Sequence, residues 1–234
     1  MLLNLKKIYD RKLAASNGEI GHVKDFYFDD KTWAIRYVVV DTGSWLTGRS
    51  VLLAPHAFGT FDQEEKILPV NLTRQQIENS PSIDAHRPVS RQYEENYYRY
   101  YGWPTYWEGD QMWGLSGYPV AGPSFASANW RAHDYPKWDD VHLRSTKAVN
   151  GYAIEAKDGV IGSVTGFMMD DKSWMIREIV VETGPWYSGK HVLITPGKVQ
   201  AISYPAAKVI VNLTKDDIKH TADNHVALAG AGAH

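Results

Sequence analysis

The sequence predicts a mainly β protein: two small antiparallel β-barrels, each with a short C-terminal helix, joined by a structured linker rich in aromatic residues. Three observations predict this. First, the chain of 234 residues repeats itself at a constant shift of 141, and 25 of the 60 positions from Gly18 to Ile77 are identical in the second copy. A period this long marks two duplicated domains and not a stack of small units. Second, each copy reads as short β-branched runs punctuated by turn residues. Third, a stretch dense in Tyr, Trp and Pro lies between the copies and belongs to neither. The expected boundaries are 1–80 for the first copy, 81–140 for the linker, 141–222 for the second copy and 223–234 for a flexible tail.

The elements follow in order. Leu13–Ala15 and Ala153–Ala156 are predicted first strands. Asn17-Gly18 and Asp158-Gly159 follow as two-residue hairpin signals, since such a turn favours residues that accept positive φ. Val23–Phe28 and Val164–Met169 are the second strands, and Asp29-Asp30-Lys31 and Asp170-Asp171-Lys172 turn the chain. Trp33–Asp41 and Trp174–Glu182 are the longest strands. Their runs Val38-Val39-Val40 and Ile179-Val180-Val181 break the period of two, which fits a strand covered on both faces or one carrying a bulge.

Gly-rich loops come next, Thr42 to Gly48 and Thr183 to Gly189. Val51–Leu53 and Val192–Ile194 make further strands, stopped by Pro55 and Pro196. Phe58–Asp62 pairs with Ile67–Val70, and Val199–Tyr204 with Val209–Val211. Thr73 with Gln76 completes a capping box for a terminal helix, and Thr214 with Asp217 offers a weaker version.

The linker carries Trp103, Trp107, Trp113 and many tyrosines. Disordered linkers are poor in aromatics, so much of this one is expected to pack. Ser90–Tyr101 reads as a helix ended by Gly102 and Pro104. The small-residue tail after Ala227 is expected to fray.

Composition bounds the function. A net charge of -2 gives no pull toward nucleic acid or anionic lipid. There are no cysteines, which excludes disulfides and thiolate chemistry and suits a reducing compartment. The first residues lack the apolar core of a signal peptide. No stretch approaches the roughly 18 consecutive apolar residues of a membrane span. A soluble cytoplasmic protein without membrane insertion is the expectation.

The set Asp158-Gly159-x-Ile161-Gly162, Asp170-Asp171-x-x-Trp174-x-Ile176-Arg177 and Val192-Leu193-x-x-Pro196 resembles the PRC-barrel family. The first copy carries the same pattern with Asn17 in place of the aspartate. That family takes its name from the cytoplasmic domain of the photosynthetic reaction centre H subunit, and includes the C-terminal domain of the ribosome maturation factor RimM. The resemblance covers both copies and implies a small β-barrel that serves as an adaptor or assembly module and not as an enzyme. The H subunit's membrane helix has no counterpart here, and in the place of RimM's own N-terminal domain stands another copy of the barrel.

No catalytic or metal constellation stands out. Asp29-Asp30 and Asp170-Asp171 read as turn residues, because neighbours in a hairpin point apart. His220 and His225 miss the spacing that puts two ligands on one helix face. No nucleophile elbow, phosphate loop or dinucleotide fingerprint occurs. No cofactor is expected. Arg36 and Arg177 persist in both copies and read as fold-holding ion-pair members, with Asp29 or Asp41 and their counterparts as partners. Trp33 and Trp174 also read as structural.

The partner-binding candidates are Trp45 and Leu46 in the first loop, Trp186 and Tyr187 in the second, and Trp103, Trp107 and Trp113 in the linker. A loop tryptophan either anchors a partner or folds back as a lid on its own barrel. The linker admits a clasp between the barrels, an oligomer interface, or a stacking platform. Its few cations are outnumbered by carboxylates, which argues against nucleic acid and favours a clasp with an oligomer interface. The expectation is an interaction module that forms a homodimer and binds an unidentified protein. The alternatives are a RimM-like role in ribosome or RNA assembly, and a binder of an apolar small molecule.

Overall fold

The computed structural model describes residues 1–46, 48–59, 67–80, 91–103, 119 and 142–220. It is mainly β, with two sheets and a few short helices. Two compact units form. Unit 1 takes in residues 1, 7–145 and 170–175; unit 2 takes in 2–6, 146–169 and 176 onward.

In unit 1, strands β2 (Lys12–Ala15), β3 (Gly18–Asp29), β4 (Ile35–Asp41), β5 (Ser50–Leu53) and β6 (Ile67–Val70) form a sheet in the order β5-β4-β3-β2-β6. Helix α1 (Arg74–Glu78) follows, then α2 (Arg91–Tyr101). In unit 2, β8 (Ala153–Ala156), β9 (Gly159–Asp170), β10 (Ile176–Thr183), β11 (His191–Ile194), β12 (Val199–Ser203) and β13 (Lys208–Val211) form the order β11-β10-β9-β8-β13-β12. A short helix, α3 (Thr146–Val149), precedes them, and another helix spans 215–220. Within these two strand orders the ladders are antiparallel except the link between first and last strand of each copy, β2 with β6 and β8 with β13, which runs parallel. Of the predicted partner strand of β6, Phe58–Asp62, Phe58 bridges Val70 antiparallel as expected, and residues 60–62 lie outside the described residues.

Each unit is completed by a strand from the other half of the chain. Strand β7 (Leu143–Ser145) pairs with β3, setting Tyr27 opposite Ser145 and Asp29 opposite Leu143. Strand β1 (Leu2–Asn4) pairs with β9. The shift of 141 maps β1 onto β7. The duplicated leading strands have therefore changed places, each joining the sheet of the other copy. The sequence reading of the copies as 1–80 and 141–222 contains no sign of this exchange.

The turns obey the local chemistry, with two corrections. The hairpin expected at Asn17-Gly18 turns instead on Ser16-Asn17, since Ala15 pairs with Gly18. Only the glycine takes positive φ, +145° at Gly18 and +119° at Gly159. Asn17 serves another purpose: its Oδ1 accepts the Arg74 N–H at 2.8 Å, supporting the start of α1. Asp158 does the same for Lys215. The second correction concerns Trp33 and Trp174, which precede their strands and have φ of +61° and +55°. Asp29 Oδ1 accepts the N–H groups of Lys31 and Thr32, and the Trp33 N–H returns to the Asp29 carbonyl at 2.7 Å. That tight turn needs a left-handed residue, and packing fixes it there: the Trp33 ring lies 5.4 Å from Phe28. Trp174, counted with unit 1, lies 5.2 Å from Phe58 and accepts the Ile35 N–H.

Both capping boxes form. Thr73 Oγ1 accepts the Gln76 N–H while Gln76 Oε1 accepts the Thr73 N–H. Thr214 and Asp217 exchange the same pair of bonds. These bonds hold the Asp217 carboxyl below the usual carboxylate range.

Candidate functional site

The two copies differ on one sheet face. In unit 1 every residue from Ile35 to Val40 is buried, because α2 lies over the face that β4 and β5 would otherwise show to solvent. Tyr97 is fully buried, and its hydroxyl accepts the Ala54 N–H and donates to the Leu52 carbonyl, both at 2.9 Å. One side chain thus satisfies two backbone groups beside the free edge of β5. Tyr37 donates its hydroxyl to buried Glu94 at 2.8 Å. Gly102 ends α2 with φ +67°, and the Trp103 N–H returns to the Tyr98 carbonyl. Trp103 then stacks on Tyr101 at 4.4 Å and on His56 at 5.6 Å. Burial lowers the His56 pKa to about 4 and raises the Tyr101 hydroxyl to about 12.

Unit 2 carries a different face at the same positions. Tyr37 becomes Glu178, Ala54 becomes Thr195 and His56 becomes Gly197. Its β10 alternates: Ile176, Ile179, Val181 and Thr183 are buried, while Arg177 and Glu182 are exposed. The continuous apolar run therefore marks double coverage in one copy only, and position 37 against 178 tells the two apart. Of the linker candidates, Trp103 is buried against unit 1; Trp107 and Trp113 lie outside the described residues.

The Gly-rich loops place their tryptophans beside the helix that ends each copy. Arg74 lies 4.6 Å over the Trp45 ring; Lys215 and Lys219 each lie 5.8 Å from the Trp186 ring. Trp186 stacks on Tyr187 at 5.5 Å and donates Nε1–H to the Ile161 carbonyl at 2.6 Å. Trp45, Leu46, Trp186 and Tyr187 all remain half-exposed. The cationic neighbours were not read from the sequence, although Arg74 and Lys215 align under the repeat.

The charged residues go mostly to architecture. Arg36 Nη2 donates to Asp29 Oδ2 at 3.0 Å in a buried pair. Burial pushes the Asp29 carboxyl up, but the Arg36 guanidinium and the Thr32 and Lys31 N–H groups outweigh it and hold the pKa below the usual value. Of the two expected carboxylate neighbours, Asp29 is thus the partner. In the second copy Asp170 accepts from Lys172 and Ser173, and Arg177 is exposed. Asp30 points away from Asp29, accepting Arg144 Nε at 2.6 Å and facing His142 Nδ1 at 2.9 Å, which ties β7 to its borrowed sheet. Among the described residues no three His, Asp or Glu side chains gather closely enough to hold a metal ion, and no helix is long and apolar enough to cross a membrane.

A family model described as the PRC-barrel domain matches the chain twice, over residues 5–77 and 149–218. No curated protein matches it.

Proposed function

The chain belongs to the PRC-barrel family, and on that premise we propose that it is a cytoplasmic, non-enzymatic interaction module that assembles with a protein partner and with a second copy of itself. The observation that carries this reading is the pair of loop tryptophans. Each is half-exposed at the same place on its unit, and each is held by a cation from the terminal helix. A held aromatic ring presents apolar area at little further entropy loss, which suits a contact residue. The adjacent residues differ, Leu46 in one loop and Tyr187 in the other. Two related sites of different specificity follow from that divergence. Direct nucleic-acid binding is not part of the proposal, given the net charge of -2.

Affinity capture from the native host tests the partner. The chain should retain a defined protein that the Trp45→Ala, Trp186→Ala double variant releases. Equal capture by both would overturn the assignment of the loops. Light scattering behind size exclusion tests self-association, with twice the chain mass expected at tens of micromolar and a monomer refuting the dimer.

A further inference from the structure

Among the described residues, one sheet face of unit 2 lacks the helix that covers its counterpart in unit 1. In unit 1 Val39 pairs with Leu52 across β4 and β5, and both are buried on the face under α2. In unit 2 the same pair, Val180 with Leu193, is half-exposed. Met168 on β9 is half-exposed beside them, in register with Glu178. Paired residues stand on one face of a sheet, so Met168, Val180 and Leu193 make an apolar stripe across three strands. The stripe runs to the edge strand β11. There the Leu193 carbonyl and the Thr195 N–H hold the places of the Leu52 carbonyl and the Ala54 N–H, the two groups that Tyr97 bonds in unit 1. Thr195 is exposed, and among the described residues no hydroxyl bridges this pair.

We propose that this face binds an amphipathic helix of a partner protein, with a tyrosine whose hydroxyl bridges Leu193 and Thr195 and a lysine or arginine one turn before it. This goes beyond the loop contacts proposed above: it is a second surface and does not depend on Trp45 or Trp186. Unit 1 shows how such a face is occupied, by a helix that brings a hydroxyl to the strand edge. A second copy of this chain cannot supply that helix from its own α2, because Tyr97 and Tyr98 are fully buried in its own unit 1. The cation follows from one exchange at the centre of the face. In unit 1 Tyr37 donates to Glu94, three residues before Tyr97. Glu178 stands in the place of Tyr37 and, as a carboxylate, only accepts, so the residue facing it must donate, and a cation also complements its charge. Among the described residues Glu178 has no cation paired with it. Of the other charges, Arg177 alternates to the opposite side of β10, Lys157 and Lys198 lie near the Asp217 carboxylate, and Glu182 faces His191 at the far end of the ladder.

A synthetic peptide of residues 91–103 carrying Glu94→Lys, titrated into the full chain and followed by amide NMR, tests this. Saturable shifts should centre on residues 168, 178–180 and 193–195, with a midpoint on the order of 1 mM for a helix too short to be preformed. The same peptide with Tyr97→Phe loses both bonds to the strand edge and should bind about tenfold more weakly. The unaltered sequence sets Glu94 against Glu178 and should bind about fivefold more weakly than the lysine peptide. Glu178→Lys in the chain, at a half-exposed position, should reverse that preference. The Trp45→Ala, Trp186→Ala double variant should titrate as the unaltered chain does. Absence of saturable shifts to about 5 mM, shifts centred on unit 1, equal binding of the Tyr97→Phe peptide, or a preference that Glu178→Lys does not reverse overturns the proposal. A chain whose loop variant releases a captured partner but which ignores the peptide keeps the interaction reading and loses this site.

Discussion

Replacing Tyr97 by phenylalanine removes one oxygen atom and should destabilise unit 1 far more than that atom's size suggests. The ring would stay in place, edge-on to Tyr37 at 5.7 Å. What is lost is the hydroxyl that accepts the Ala54 N–H and donates to the Leu52 carbonyl, both within the buried face. Two backbone groups are left without partners, and a buried unsatisfied group costs about 1–3 kcal/mol. The expected loss is about 2–4 kcal/mol, a large part of the stability of a small domain. Tyr100→Phe is the matched control. Its hydroxyl also donates to a backbone carbonyl, that of Gln76 at 2.9 Å, but it is exposed, so water can replace it and the cost should stay under about 1 kcal/mol. Urea unfolding followed by circular dichroism gives both values, and hydrogen exchange at the Ala54 amide should accelerate only in Tyr97→Phe. Equal midpoints for the two variants would refute the role of Tyr97 as the bond between α2 and the sheet edge.

Other outcomes follow from the same geometry. His56 is neutral in the fold, with its pKa lowered by burial from 6.5 to about 4, so the unfolded chain binds the proton first. Its contribution is complete above pH 6.5 and is lost as pH falls toward 4, reaching about 3 kcal/mol; His56→Leu should flatten the stability profile in that window, and an unchanged slope would contradict the assignment. A Cβ at Gly21 or Gly162 would lie 2.0 Å from the carbonyl oxygen of Asp41 or Glu182; each Gly→Ala variant should cost at least about 3 kcal/mol by thermal melt, and a small shift would mean the strands can part there. Arg36→Met leaves Asp29 buried without its guanidinium and should cost about 3–5 kcal/mol, measurable by urea unfolding. Residues 1–80 expressed alone lack β7 and the Trp174 turn, so no stable monomer is expected by light scattering and circular dichroism.

Much of the fold was legible because it rests on local chemistry. The repeat is plain in the residues themselves, the capping boxes at Thr73 and Thr214 follow from residue type and short spacing, and Arg36 reads as an ion-pair member with its partner narrowed to Asp29 or Asp41. Three features were not legible, each for a physical reason. Leading strands β1 and β7 have three residues each and carry no clear period, so neither their existence nor their exchange has a sequence signature. Trp33 reads as the first residue of a β-rich run, but the Asp29 carboxylate gathers the preceding N–H groups and imposes a turn that overrides its strand propensity. Coverage of β4 by α2 depends on pairing Tyr37 with Glu94 across 57 positions, which no local pattern encodes. At the candidate site the loop aromatics could be singled out from the repeat. The different conformations of the two loops could not, since they come down to one ladder pair and the torsion of Gly43 against Gly184.

The central claim is that the loops around Trp45 and Trp186 are where this chain meets its partner. A photo-crosslinking residue placed at Leu46 or Tyr187, beside those tryptophans, tests it in the native host, with the exposed position Tyr204 as control. The account predicts a discrete adduct from one or both loop positions and none from position 204. Adducts of equal yield from all three positions, or from position 204 alone, would contradict it.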